Sequence, residues 1–462
     1  MLRCVKTIVV LVSLLAIPRA LFAQATASIV GTARDASGAV LPGVTVEASS
    51  PALIEKTRTV VTGGTGQYAI DGLRPGTYTV TFTLAGFSVV KREGIELAGS
   101  FVATVNADLK VGAVAETITV SGEAPTVDVT STRNQEVLSA QTVADIPSSR
   151  NYSAFTHLIP AINVQQNDFE GSNPALYSVF QIHGGRRNEG QVLVDGMNGG
   201  YQGMGVSGYV PEVGNSQEVV FNLAGGLGEA TTGGPQMNII GKQGGNRFAG
   251  TFFLSGTGDK LQGSNLSSQN IAQGLTATGN IQKLWEVNPS FGGPIVKDKL
   301  WFFGTFRYLL SRQGVPSMWV NKNAGNPNAW TYDPDKSQQA INDGYWKQGN
   351  LRLTYQPTTR NKFNIWSSLQ YSCIACEQGG DGTGLGFGAS IRSPEAYSTN
   401  TNHPSMMNQI AWQSPVTTKL LLEANAQLGA YFWWGSQQKN SYDQTMIPVM
   451  ETAGAIPNIN YR

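Results

Sequence analysis

The sequence predicts a mainly β protein, with a β-sandwich at the front and the first part of a transmembrane antiparallel β-barrel at the back. Three observations carry that expectation. From residue 284 onward apolar side chains fall on every second position, as in Leu351–Tyr355 and Phe363–Tyr371, while Asn350, Arg352, Thr354, Gln356, Asn364, Ser368 and Gln370 lie between them. A period of two puts one set on each face of a strand. A soluble sandwich gives the same pattern, but here one face is large and aromatic and the other is amide and hydroxyl, as expected with lipid outside and water inside. Second, connections alternate in length. The turns at Val296–Lys299, Pro357–Asn361 and Ser414–Thr418 are tight, whereas 257–283, 312–345 and 374–404 are long and polar. Third, all nine Trp lie from Trp285 onward. Seven of them (Trp285, Trp301, Trp346, Trp366, Trp412, Trp433 and Trp434) fall in or beside the expected strands, as in interfacial aromatic girdles.

Bulk composition narrows the function classes. Charged residues make up 14% of the 462, against about 25% in ordinary soluble domains. A net charge of +1 implies no polyanionic partner and gives a nucleic-acid reading no support. Mean hydropathy is −0.14. No apolar run reaches the ~20 residues of a helical membrane span, a test that a barrel evades because half of its strand positions are polar.

Residues 1–25 read as a secretory signal, with Arg3 and Lys6 before an apolar core from Thr7 to Ile17 and cleavage motifs ending at Ala23 and Ala25. Beyond it only Cys373 and Cys376 remain. In an oxidising compartment C-x-x-C reads first as a small loop disulfide. Without a nearby His it makes a poor zinc site, and no thioredoxin-like context surrounds it.

Elements follow in order. In 27–112, Ser28–Gly38 and Leu41–Val46 are short alternating stretches broken by turns at Asp35–Gly38 and Pro42–Gly43. Many short strands with regular turns argue a β-sandwich. Gly66-Gln-Tyr68 and Leu73-Arg-Pro-Gly-Thr-Tyr78 sit at the spacing of the carboxypeptidase regulatory-like domain, which this region resembles. The resemblance implies a transthyretin-like sandwich. It does not imply a peptidase: the three His, His157, His183 and His403, lack a Glu at metal-ligand spacing, so no metal, cofactor or enzyme activity is expected.

In 113–246, Glu116–Val120 is a short extended segment that suits strand addition to another chain, or else opens the next domain. Val192–Val194 followed by Asp195-Gly196 is a strand ending in a turn. The Gly184-Gly185 pair matches no nucleotide-binding loop. The Arg-Gly-rich stretch before Val192-Leu-Val-Asp-Gly196 and the exit Asn238–Asn246 resemble TonB-dependent outer-membrane receptors, in particular the Oar-like group. That resemblance implies an α+β plug domain, and makes Glu116, Thr117, Ile118, Thr119 and Val120 look like the TonB box. It implies TonB as the energising partner, outer-membrane lipid as surroundings and a bulky, scarce small-molecule or oligosaccharide ligand taken up by the receptor. Arg186 and Arg187 are then expected to pair with acids on the barrel wall, and Asp195 and Gly196 to make a turn.

From 247 to 462, strands are expected near 247–256, 284–293, 299–311, 346–356, 362–373, 405–413 and 419–434. Leu300, Phe302, Phe306, Tyr308 and Leu310 would face lipid; Trp301, Thr305 and Arg307 the lumen. Plugged transporters have about 22 strands, so an N-terminal fragment of a longer receptor is expected. The rival reading is a surface-exposed adhesive or carbohydrate-binding protein, with Trp319, Trp330 and Tyr332 stacking on sugars.

Overall fold

The structure is a computed structural model that describes residues 27–53, 56–97, 102–112, 117–121, 134–164, 180–186, 189–199, 209–224, 232–264, 266–358, 360–377, 391–417, 420–432, 434–437, 447–453 and 459–461. The signal, Glu116, Arg187 and Trp433 lie outside them.

The first unit has strands β1 (Ala27–Asp35), β2 (Thr45–Ser49), β3 (Thr57–Val61), β4 (Gln67–Leu73), β5 (Gly76–Thr83), β6 (Val89–Leu97), β7 (Val102–Thr104), β8 (Ala107–Leu109) and β9 (Thr117–Ser121). One sheet runs β4-β1-β7, with β8 also on β1, and the other runs β3-β2-β5-β6-β9. Ile29, Ile70, Val46, Val80, Phe82 and Ile95, drawn from both sheets, share one buried cluster. The alternation visible in the sequence becomes the inward face of a sandwich.

The two tyrosines of the sequence motif have structural tasks. Tyr68 Oη donates to the Val105 carbonyl at 2.6 Å, and Tyr78 Oη donates to the Arg74 carbonyl at 2.7 Å, clamping the β4–β5 turn. Gly76 there has φ +150, and a Cβ would lie 2.7 Å from that of Ala52, so a larger residue is excluded.

Strand β9 departs from expectation. Thr117–Ser121 does not open the next domain; it pairs in parallel with β6 and extends the sandwich sheet past the boundary expected at 112. The β6 edge was free, and a β-branched segment a short tether away satisfies it.

The middle unit has β10 (Asn134–Ser139), α1 (Ala140–Asp145), α2 (Tyr152–Thr156), β11 (Ile162–Val164), β12 (Phe180–Ile182), β13 (Gln191–Val194), β14 (Met197–Asn198), β15 (Ser216–Ala224) and β16 (Gln236–Gly241). Its main sheet runs β10-β15-β16-β13-β14. Ser139 caps α1 by accepting the Thr142 amide at 3.1 Å.

The third unit is an up-and-down meander: β17 (Ala249–Gly258), then helix α3 (Ser268–Ala272), β18 (Ile281–Val296), β19 (Leu300–Asn321), β20 (Pro334–Tyr355), β21 (Lys362–Ile374), β22 (Ile391–Arg392), β23 (Ser398–Thr417), β24 (Leu420–Ala430), β25 (Trp434–Gln437), β26 (Val449–Glu451) and β27 (Ile459–Tyr461). The sheet runs β17-β18-β19-β20-β21-β23-β24, antiparallel throughout, with β25 also on β23. The seven expected strands are present, but two outlines change. The span 419–434 divides into β24 and β25. The long loop expected at 312–345 shrinks to 322–333, because β19 and β20 stay paired beyond their apolar stretch, out to Asn321 and Pro334. Backbone ladders need no apolar side chains, so the fading of alternation did not mark the strand ends. At that far end β22, β27 and β26 form a small sheet, and Val315, Met318, Ile459 and Tyr461 share a buried cluster there.

The polarity of this sheet is inverted. Phe252 is 71% exposed and Leu428 67%, whereas Gln348 and Ser368 are 1% exposed. Among the described residues no helix is long and apolar enough to cross a membrane.

A polar interface between the middle domain and the sheet

The buried polar face of the meander is buried because the middle domain packs against it. Sequence alternation sends Glu286, Asn288, Arg307, Gln348, Arg352, Ser368 and Gln370 to one side of four adjacent strands, and each is buried. Four clusters bind the two units together.

The first centres on Asp195. The turn Asp195-Gly196 between β13 and β14 has φ +49 and +78 and closes the pair Val194↔Met197. Its conformation is that of a turn-maker, but the carboxylate does more. Oδ2 is ion-paired with Arg352 Nη2 of β20, both side chains nearly inaccessible, and Oδ1 accepts the Gly241 amide at 3.1 Å.

The second centres on Arg307. Its Nε donates to Glu286 Oε1 at 2.7 Å within the wall, while Nη1 and Nη2 reach Asn151 Oδ1 at 2.9 Å and the Ser149 carbonyl at 2.8 Å in the middle domain. A guanidinium with a carboxylate on one side and neutral acceptors on the other is well satisfied in a dry site.

In the third, Glu212 of the middle domain accepts from Asn288 Nδ2 at 2.7 Å, Thr305 Oγ1 at 2.7 Å and Asn350 Nδ2 at 2.8 Å, all from the wall. Arg150 and Lys242 lie close enough for Glu212 to act on both electrostatically, and burial lowers the pKa of each cation from its ordinary value. The Arg150 guanidinium also sits 4.0 Å over the Phe253 ring of β17.

The fourth holds Tyr209, whose hydroxyl donates to Ser368 Oγ at 2.9 Å and accepts from Gln348 Nε2 at 3.0 Å, with its ring edge-on to Trp366. Burial raises the Tyr209 pKa above its ordinary value. Between these clusters lies a small cavity of about 50 Å³ bordered by Glu212, Lys242, Tyr209 and Arg352.

Several expected site residues fall elsewhere. Arg186 is exposed, and its side chain reaches no acid among the described residues; Arg187 is outside them. The wall contact expected of Arg186 is absent among the described residues, where Asp195 with Arg352 and Arg307 with Asn151 join the two units. The reason is direction: the arginines that are buried come from the wall and point in, where period two places Arg307 and Arg352, while Arg186 lies in a loop after β12. Glu212, Glu286 and Asn151 carry no local mark in the sequence, since their partners lie from 21 to 156 residues away. The physical reason for the pairings is that a buried guanidinium left without a partner is costly.

Trp301 faces inward as alternation predicts, whereas Trp346 and Trp366 leave the expected aromatic girdle. Trp301, Trp346 and Trp366 are buried on the inner side; Trp301 Nε1 donates to Asn246 at 2.8 Å, and Trp346 packs with Phe155 and Val210 in the core of the middle domain. Trp412 does sit by a short turn, donating to Asn361 Oδ1 at 3.0 Å. Of the loop aromatics, the Tyr332 hydroxyl donates to the Trp319 carbonyl at 2.7 Å and closes the β19–β20 hairpin. Cys373 and Cys376 are joined by a disulfide at the end of β21. Among the described residues no group of three or more His, Cys, Asp or Glu is placed to hold a metal.

The sandwich touches this interface as well. Arg74 in its β4–β5 turn hydrogen-bonds to Gln243 just after β16, and residues 72–75 border a cavity shared with Asp195, Arg352 and Lys362.

Comparison with known proteins places these observations. Residues 28–110 match the carboxypeptidase regulatory-like domain family. Over 305 residues the chain is 32% identical to the TonB-dependent transporter Oar of Myxococcus xanthus, an alignment covering 63% of this chain and 27% of that protein. The chain thus spans about a quarter of the length of that curated relative. Among solved structures it is similar to the outer membrane transporter YddB from Escherichia coli (TM-score 0.44, 12% identity, 63% of this chain and 38% of that one). It is also similar to the siderophore receptor PirA from Acinetobacter baumannii (TM-score 0.41, 14% identity, 63% and 39%). Both likenesses are too slight to carry an argument.

Proposed function

We propose that this chain, a relative of the TonB-dependent transporter Oar, belongs to an outer-membrane receptor that takes up a bulky, scarce ligand by energised transport. In this reading the meander is the opening part of a β-barrel, the middle domain, from β10 to residue 246, is its plug, and the front unit with β9 is a transthyretin-like regulatory sandwich on the periplasmic side. Thr117–Val120 with Glu116 is the TonB box, through which TonB of the inner membrane pulls. The protein is not an enzyme.

The observation that carries this reading is the inverted polarity. A sheet that exposes Phe252, Phe306, Leu369 and Leu428 while burying Asn364, Gln370 and Gln409 is unstable in water and suited to lipid. The buried side is then occupied by a separate unit through ion pairs and amides rather than by continuous apolar packing. Once such units separate, water can replace each lost hydrogen bond, which it cannot do for an apolar core. The sandwich, resting on the turn-side face through Arg74, lies on the route between box and plug.

The test is to delete 116–120 from the complete receptor and measure retention of the purified periplasmic domain of TonB together with outer-membrane fractionation. Loss of retention with unchanged fractionation is expected. Retention that survives the deletion removes the energy-coupling role from this segment, and recovery in the soluble fraction removes the barrel.

A further inference from the structure

We infer that the outer side of the meander carries a site for a phosphorylated lipid headgroup, built around Lys347 of β20 and the rings of Tyr308 and Tyr345. This rests on the reading of the meander as part of a barrel wall and goes beyond it, since it gives the lipid-facing side a specific ligand.

Alternation decides which way Lys347 points. Its neighbours Trp346 and Gln348 are buried on the inner side, whereas Lys347 is exposed on the other. Tyr308 of β19 stands opposite it in one ladder and Tyr371 of β21 in the next. Tyr345 lies two residues along the same strand, hence on the same face. The Lys347 ammonium is 5.0 Å from the centre of the Tyr308 ring and 4.9 Å from that of Tyr345. Trp285 of β18 packs edge-on against Tyr308, with ring centres 4.6 Å apart, and steadies it.

Height is the second observation. Toward the short turns, the outward positions within 287–295, 300–306, 349–355 and 363–369 carry no charge. Tyr308 lies eight residues from Leu300, about 20 Å along the membrane normal for a strand tilted as in barrels. That is close to the top of an apolar band about 25 Å tall, at the end away from the short turns and therefore in the outer leaflet. Interfacial Trp and Tyr mark this level, and a lysine stem there extends toward the headgroups.

Charge is the third. One row farther out, Lys283, Arg312 and Asp343 are paired across β18, β19 and β20. Arg312 is ion-paired with Glu377 at 3.1 Å, and Asp343 Oδ1 accepts the Glu377 amide at 3.1 Å. Lys347 has no carboxylate partner among the described residues, and the hydroxyls of Tyr308 and Tyr345 make no hydrogen bond among them. An ammonium facing hydrocarbon without an anion is costly. A lipid phosphate supplies that anion and offers acceptor oxygens to the ammonium and to the two phenols. The rings hold the ammonium in place before the phosphate arrives, which lowers the ordering cost of binding.

The experiment uses the complete receptor in a non-ionic detergent, unaltered and with Lys347→Gln or Lys347→Arg. Native mass spectrometry measures retention of diphosphorylated lipid A and of the same lipid with its phosphates removed. The unaltered receptor is expected to bind the phosphorylated lipid at least about tenfold more tightly. Lys347→Gln is expected to retain one phosphorylated lipid fewer at matched concentration, and Lys347→Arg the same number as the unaltered receptor.

Equal binding of the two lipids overturns phosphate recognition and leaves the barrel reading standing. An unchanged number on Lys347→Gln overturns the assignment to this site. Displacement of the bound lipid by millimolar inorganic phosphate shows a site for the free anion and overturns the lipid as its ligand. Recovery of the receptor in the soluble fraction without detergent, retaining no lipid, removes the barrel reading and the site with it. If Lys347→Gln does not fold, Lys347→Met, which keeps the apolar stem, takes its place.

Discussion

At the scale of single residues, the interface depends on a few charges that alternation sends inward and the middle domain then satisfies. Arg352 and Asp195 are both nearly inaccessible, so removing one strands the other. Asp195→Ala is expected to loosen the middle domain by about 3–5 kcal/mol, and Arg352→Met paired with Asp195→Leu much less, because the uncompensated charge is then gone. Proteolysis of the middle domain in single and double variants measures the difference.

Glu395 makes a pH-dependent contribution. It is buried outside the meander's strands, receives Asn321 Nδ2 on Oε1 at 2.9 Å, and its Oε2 has no partner among the described residues. Burial raises its pKa from the ordinary value. A raised carboxyl pKa means that the folded form holds a proton the unfolded form has lost, so stability is fullest below the unfolded pKa and falls as pH rises through the folded one. The small sheet of β22, β26 and β27 is therefore expected to exchange its amides faster as pH rises from about 4 to about 8. Glu395→Gln should flatten that dependence.

At the scale of elements, strand pairing outlasts the side-chain pattern that reveals it. β19 and β20 continue through bulges between Gly314 and Trp319 into a stretch with mixed side chains, and β9 joins a sheet whose other strands lie earlier in the chain. In the sandwich, β1 crosses the 105 region so closely that a Cβ on Gly31 would lie 2.0 Å from the Val105 carbonyl oxygen, while Val105 N donates to Val30 O at 2.8 Å. Gly31→Ala is expected to cost about 1–3 kcal/mol by overpacking against backbone that cannot move without losing that bond. Faster exchange at Val30, Val105 and their neighbours in the full chain would register it.

At the scale of the whole molecule, the sheet has two open sides. β17 pairs only with β18, and β24 only with β23, among the described residues. In hydrocarbon each unpaired backbone group costs several kcal/mol. The 462-residue chain by itself is expected to remain protease-sensitive in phosphatidylcholine vesicles, with cleavage in β17 and β24. A protected core of the whole meander would show that the open sides find partners, by closure or by a second copy.

What the sequence by itself determined is what repeats locally: alternation, turn residues and the tyrosine-glycine motif. These made the sandwich, the seven long strands, their short turns and the inward direction of Arg307, Thr305 and Trp301 legible from one chain. Each depends on neighbours two to ten residues away, where covalent geometry dictates direction. Only the tertiary structure decided which acid meets which arginine, that Trp346 and Trp366 also serve the interior, and that Thr117–Ser121 lies on β6. Those pairings join residues 21 to 157 positions apart, as in Arg307 with Glu286 and Arg352 with Asp195. Their free energy comes from desolvation and from completing hydrogen bonds at a site that exists only once both partners are folded.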